Sequence, residues 1–276
     1  MGVDDAEART AAPTIAVGLV GLGNMGMPIA RRIAAAGFGL HAFARRPEVI
    51  AEARDLGAST ADSLAALAQA SDVVIVNVFD DDQLREVTLG DGLVAHMLPG
   101  AVLVNHATVR PATMDAIAAA TRPRGIALLD CAMSGGPDDI AAGRLVLLVG
   151  GDADTLETVR PVFASYSTPI VHVAGVGDAQ KVKLLNNVLF AAQVAFAVGI
   201  ERCAIAFGME PVPVMQAISA CSGNSYALGV STMAGSAVRL ADAARRWMEK
   251  DVEQGASVAA ELGVDLGSIL TVAREM

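Results

Sequence analysis

Aromatic residues supply only 4% of this 276-residue chain, too few for an aromatic-rich β sandwich, and its abundant alanine favours close-packed helices. Cysteine is scarce and odd in number. Cys131, Cys203 and Cys221 lie far apart with no CxxC or Cys/His metal spacing, which argues against a disulfide framework and leaves reduced structural thiols. The four histidines (His41, His96, His106, His172) are equally dispersed and no HExxH occurs, so no metal site is expected. Positive charge is also short. A net charge of -10 argues against a nucleic-acid or anionic-membrane surface, so any anionic ligand must meet a local basic cluster. The opening "MGVDDAEARTAAPT" lacks the basic and apolar regions of a signal peptide and reads as a disordered tail over residues 1–13. The longest apolar stretch, around 188–200, is interrupted by Gln193 and reads as too short to span a bilayer. These absences point to a cytoplasmic protein with a small-molecule substrate.

What is present is core: hydrophobic residues make up 53% and charged residues 18%. Nearly continuous apolar runs at 14–20, 40–43, 72–78, 101–105, 126–130, 144–150 and 169–173 read as strands of a parallel sheet covered on both faces. Helical patterns at 25–36, 47–56, 61–70, 111–121 and 152–164 separate them, the signature of a Rossmann-type, doubly wound α/β domain over residues 14–177. From 178 to 276 only alanine-rich helical periods follow, beginning with an unusually long helix at about 179–207. This is an all-α second domain.

Gly21-x-Gly23-x-x-Gly26 lies directly between the first strand and the first helix. Gly21 permits the tight turn, Gly23 lets the backbone approach a pyrophosphate, and Gly26 allows close helix–strand packing. The helix then offers its unpaired N–H groups to the anion, with Leu22, Asn24 and Met25 completing the turn. At the end of the second strand, "HAFARRPE" places Ala44 where an NAD-binding domain usually carries an acid, followed by Arg45 and Arg46. No carboxylate there repels a 2′-phosphate and two guanidiniums can clamp it, so NADP is the preferred cofactor and NAD remains possible.

Four segments, in order, resemble the β-hydroxyacid dehydrogenase family of 3-hydroxyisobutyrate dehydrogenase and tartronate semialdehyde reductase. They are "GLGNMGMPIA" (21–30), "DCAMSGGPDDIAAGRLVLLVGG" (130–151), "GDAQKVKLLNN" (177–187) and "MEKDVEQGASVAAELGV" (248–264). The resemblance implies that Lys183 is the catalytic lysine and Asn187 the asparagine that orients substrate. It implies a substrate-carboxylate cradle at Ser134, Gly135 and Gly136, and a Lys250 that closes over cofactor and substrate. Thr108, Val78 and Phe79 match family positions near the cofactor. The active site is then expected in the cleft between the domains.

Spacing agrees with part of this. Lys183, Asn186 and Asn187 share a helix face at i, i+3 and i+4, leaving Leu184, Leu185, Val188 and Leu189 for the core and Lys181 for solvent. A free lysine pKa of about 10.4 is too high for neutral-pH proton transfer, so burial and the Lys250 cation are expected to lower it. The chain departs from the family pattern at Ala132-Met133, at Pro137-Asp138-Asp139 beside the cradle, at Ala107 and Ala179, and in ending short of the family's last helical segment. The expected function is NADP-preferring hydride transfer to or from a small β-hydroxy acid or its semialdehyde. The expected assembly is a homodimer or homotetramer through the helical domain. An imine reductase-like NADPH enzyme and a non-catalytic cofactor-binding module are the alternatives; Lys183 counts against the first, which Asp138 and Asp139 after Gly136 keep open, and Lys183 with Asn187 counts against the second. The absence of histidine at 186 counts against 6-phosphogluconate dehydrogenase.

Overall fold

The protein is described from a computed structural model, for residues 15–276; the tail expected at 1–13 lies outside the described residues. Eight strands form one sheet: β1 (Ala16–Val20), β2 (Gly39–Phe43), β3 (Ser59–Thr60), β4 (Val73–Val76), β5 (Val102–Asn105), β6 (Ala127–Ser134), β7 (Leu145–Gly150) and β8 (Ser167–Ala174). Their order is β3-β2-β1-β4-β5-β6-β7-β8. Pairing is parallel throughout except between β6 and β7, so the all-parallel expectation is corrected at one ladder. A short turn and the five-residue helix after β6 return the chain directly alongside it, which only an antiparallel partner allows. Every residue of β4 and β5 is buried, matching their unbroken apolar sequence. Strand order reverses at β1/β4, the switch point where open α/β sheets leave a crevice beyond the strands' carboxyl ends.

The helices of this region are α1 (Gly26–Ala35), α2 (Pro47–Asp55), α3 (Leu64–Gln69), α4 (Asp81–Thr88), α5 (Leu93–His96), α6 (Pro111–Thr121), α7 (Pro137–Ala141) and α8 (Ala153–Ala164). Helices α4, α5 and α7 and strand β3 were not legible in the sequence. α4 opens on "DDQLREVT", whose charges hide a buried face of Leu84 and Val87, and Asp80 caps it by accepting the Gln83 N–H. Ile29 and Ile33 of α1 pack with Val17 and Leu19 of β1 and Val73 and Ile75 of β4.

Beyond β5, His106 is fixed inside the core. Its Nδ1 must donate to the Cys131 carbonyl at 2.7 Å, because a carbonyl only accepts, and Nε2 lies 2.9 Å from the Tyr166 hydroxyl. Nε2 therefore accepts from the tyrosine in the neutral ring. Burial pushes the imidazole pKa down to about 4, opposed by the Cys131 carbonyl contact. Cys131 is the buried thiol; Cys203 and Cys221 are exposed, so the structural reading holds for one cysteine of three.

The chain forms two compact units. One runs through Ala107 and resumes at Thr113–Val176; the other joins Thr108–Ala112 to Gly177–Met276. The second contains α9 (Asp178–Ala206), α10 (Pro211–Ser219), α11 (Tyr226–Met233), α12 (Ala237–Glu261) and α13 (Gly267–Ala273). α9 and α12 approach closely because Gly255 faces Val188, where a Cβ would come within 2.9 Å of the valine Cγ2. At 29 residues α9 is long and apolar enough to cross a membrane, which corrects the reading of its apolar run as too short. Leu184 and Val188 are buried as expected, but Leu185 and Leu189 are 55% and 47% exposed. Apolar side chains surround this helix on all sides, so spacing alone did not select the core face.

Candidate active site

In the first unit, the end of β1 turns sharply at Gly21, whose φ is +92°. A Cβ there would collide with the Asn77 carbonyl, and one on Gly26 would collide with the Gly21 carbonyl. Both positions therefore require glycine. Gly23 faces open space, with nothing within 4 Å of where its Cβ would lie. Asn77, at the end of β4, braces the turn by donating Nδ2 to Gly21 O at 3.4 Å. α1 begins at Gly26 without a side-chain cap and without an acid in its first turn. An anion therefore meets a positive helix end there.

A groove of about 550 Å³ opens beside this turn. Gly21, Leu22, Gly23, Arg45, Arg46 and Val78 line it, with Val20, Phe43, Ala44, Val49, Gln83, Glu86 and Val87. Asn24, Met25 and Gly26 carry the turn into α1. Phe79 is not part of that lining; its ring is 50% exposed and its N–H donates to Gln83 Oε1. Sequence reading missed Glu86. It accepts from Arg45 at 2.7 Å, and Arg46 lies 3.5 Å from Glu48, so carboxylates do stand beside both guanidiniums. Both pairs are well exposed and therefore weak. The open turn, uncapped helix start and adjoining groove fit a dinucleotide.

Ser134 ends β6, and Gly135 (φ +126°) and Gly136 turn the chain into α7. The Gly136 N–H is already engaged by Asp139 Oδ2 at 2.9 Å, which removes one donor from the expected carboxylate cradle.

In the second unit, Thr108 begins the segment that packs with α9 and α12. The Val109 N–H donates to buried Gln180 Oε1 at 2.9 Å, and Arg110 donates to Ser257 and Glu261 at 3.2 and 2.6 Å. Asn187, one turn after Lys183 on α9, is 3% exposed and donates Nδ2 to Asp251 Oδ2 at 2.6 Å. Asn186, on the exposed side, donates to Asn187 Oδ1 at 3.1 Å. Asp251 was not singled out from sequence, although it sits in the quoted Lys-Asp pair of the fourth motif. It is buried, and its Oδ1 lies 3.3 Å from Lys250 Nζ without hydrogen-bond geometry. Burying a carboxylate this way costs stability unless its partners compensate, and such groups concentrate at functional sites. Burial pushes the Lys183 pKa down, Asp251 pulls it up, and Lys250 pushes it down further. Lys181 instead pairs with Asp178 at 2.9 Å near the surface.

A glycine turn at a sheet switch point, opening a helix beside a groove, defines a dinucleotide-binding protein. Comparison with known proteins carries this further. Residues 16–175 match the NAD binding domain of 6-phosphogluconate dehydrogenase. The chain is 34% identical to the NAD-dependent L-serine dehydrogenase of Pseudomonas aeruginosa over 78% of its own length and 72% of the relative's. It is 30% identical to that organism's 3-hydroxyisobutyrate dehydrogenase, again over 78% and 72%. Mycobacterium tuberculosis 3-hydroxyisobutyrate dehydrogenase, solved with L-serine, superposes with a TM-score of 0.84 at 24% identity, over 95% of this chain and 92% of that one. The chain belongs to the NAD-dependent hydroxyacid dehydrogenase family that includes 3-hydroxyisobutyrate dehydrogenase. It is an oxidoreductase acting on a hydroxyl group.

Proposed function

We propose that the protein is an NADP-preferring dehydrogenase or reductase of the small β-hydroxy acid class, free or derivatised, or of the corresponding semialdehydes. The observation that carries this is the Lys183–Asn187–Asp251–Lys250 cluster, with a lysine held below its ordinary pKa. A bound nicotinamide supplies or accepts the hydride. In the oxidative direction Lys183 Nζ takes the substrate hydroxyl proton as the carbonyl forms; in the reductive direction it returns that proton to the carbonyl oxygen. Asn187, fixed through Asp251, orients the substrate oxygen towards Lys183. Lys250 adds the positive charge that disfavours protonated Lys183 and covers cofactor and substrate.

The Gly21–Gly26 turn would hold the pyrophosphate, with Val78 lining the adjoining groove; family resemblance gives Phe79 and Thr108 roles near the cofactor. Arg45 and Arg46 favour NADP, because trading an exposed carboxylate for a 2′-phosphate replaces a pair worth about 0–1 kcal/mol with a charge-assisted clamp. The enzyme works in the cytoplasm as a homodimer or homotetramer. Val182, Leu185, Leu189 and Phe196, exposed on α9, support burial of this helix against a second copy. Light scattering of the purified protein tests that, and a monomer at micromolar concentration contradicts it.

The function is tested by NADP reduction across a panel of small 3-hydroxy acids and their derivatives, with NAD run in parallel. Turnover with a lower cofactor KM for NADP is expected. Tight NADPH binding without turnover of any member contradicts the catalytic reading.

A further inference from the structure

Asp139 sits in the first turn of α7 and directs its carboxylate back onto the glycine turn before it. Gly136 N–H donates to its Oδ2 at 2.9 Å, and Asp139 N–H returns a bond to Gly136 O at 3.1 Å. The same oxygen lies 2.9 Å from where a Cβ on Gly135 would project, so the carboxylate lies against both glycines. Its other oxygen is 3.6 Å from the exposed Arg144 guanidinium, which steadies the arrangement without covering it.

The turn that family resemblance assigns to a substrate carboxylate thus already holds one of the protein's own. A second carboxylate would compete for the Gly136 N–H and lie beside a like charge. A neutral carbonyl avoids the repulsion and can still accept from the Ser134 hydroxyl.

We infer that Asp139 is a specificity-determining residue that keeps a free carboxylate out of the Ser134–Gly136 turn and admits an uncharged amide or ester of the substrate instead. This rests on the hydride-transfer reading above and narrows its substrate.

The test compares kcat/KM for 3-hydroxypropionate and 3-hydroxypropionamide, with NADP, in the wild type, Asp139→Gly and Asp139→Asn. The wild type is expected to favour the amide. The acid-to-amide ratio is expected to rise at least tenfold in Asp139→Gly and by a smaller step in Asp139→Asn, which keeps an acceptor for the Gly136 N–H. Circular dichroism checks folding, and Asp139→Asn carries the comparison if the glycine variant unfolds. A ratio that stays fixed across the variants, or a wild type that favours the acid, overturns the inference and leaves the hydride-transfer reading standing. Turnover of neither compound, nor of any hydroxyl substrate in the wider panel, overturns that reading and the inference with it.

Discussion

The glycine turn of the first unit is made of backbone, whereas the lysine cluster of the second is made of side chains. Gly21, Gly23 and Gly26 act by lacking a Cβ, and all three lie within six consecutive residues. Lys183, Asn187, Lys250 and Asp251 act through charge and hydrogen bonding from two helices whose contributions are 64 residues apart. The backbone site tolerates no added atoms at Gly21 or Gly26 and holds no titrating side chain among its glycines. The side-chain site depends on a balance in which burial lowers the Lys183 pKa while one carboxylate and one ammonium push it in opposite directions.

The sharpest break between the two comes from Lys183→Ala. It is expected to lower kcat by on the order of 10²–10⁴ while NADPH affinity, measured by fluorescence titration, stays near wild type. A parallel loss of cofactor binding would erase the distinction. Next in size is His106, whose neutral ring anchors the end of β5 in the first unit. Its folded pKa of about 4 lies below the usual value, so the unfolded chain binds the extra proton between about pH 6.5 and 4. Stability therefore falls as pH drops through that window, by up to about 3 kcal/mol from this group. Denaturant titrations at pH 7 and pH 4 are expected to differ less in His106→Phe than in the wild type.

Gly26→Ala forces a methyl against the Gly21 carbonyl. It is expected to cost about 1–3 kcal/mol, seen in thermal melts, and to weaken NADP binding. A variant with wild-type affinity would show that the turn does not hold the cofactor. The smallest effect is expected from Glu86→Gln, which frees Arg45 from its carboxylate. The NADP-to-NAD affinity ratio should rise by a few-fold, consistent with an exposed pair worth less than about 1 kcal/mol.

How far each site was legible follows from how it is made. The glycine turn and the Arg45-Arg46 pair are contiguous, so their chemistry is readable where they stand. Glu86 lies 41 residues beyond Arg45, and only the fold brings it there. The parallel sheet was legible from its unbroken apolar runs. α7 was not, because Pro137-Asp138-Asp139 after two glycines reads as a turn until Asp139 folds back onto Gly136. Helix spacing paired Lys183 with Asn187, yet it gave no role to Asp251. It also assigned Leu185 and Leu189 to the core, since an all-round apolar helix has no periodic signal to choose between its faces.

In the proposed mechanism Lys183 transfers the proton, and burial sets its lowered pKa together with the opposing charges of Asp251 and Lys250. The most direct measurement is the pH dependence of kcat/KM for alcohol oxidation in Asp251→Asn and Lys250→Met. Oxidation needs neutral Lys183, so its rate falls on the acid side of the lysine pKa. Removing the Asp251 charge should move that limb to lower pH, and removing the Lys250 charge should move it to higher pH. Limbs that stay together, or that move in the same direction, would contradict the claim.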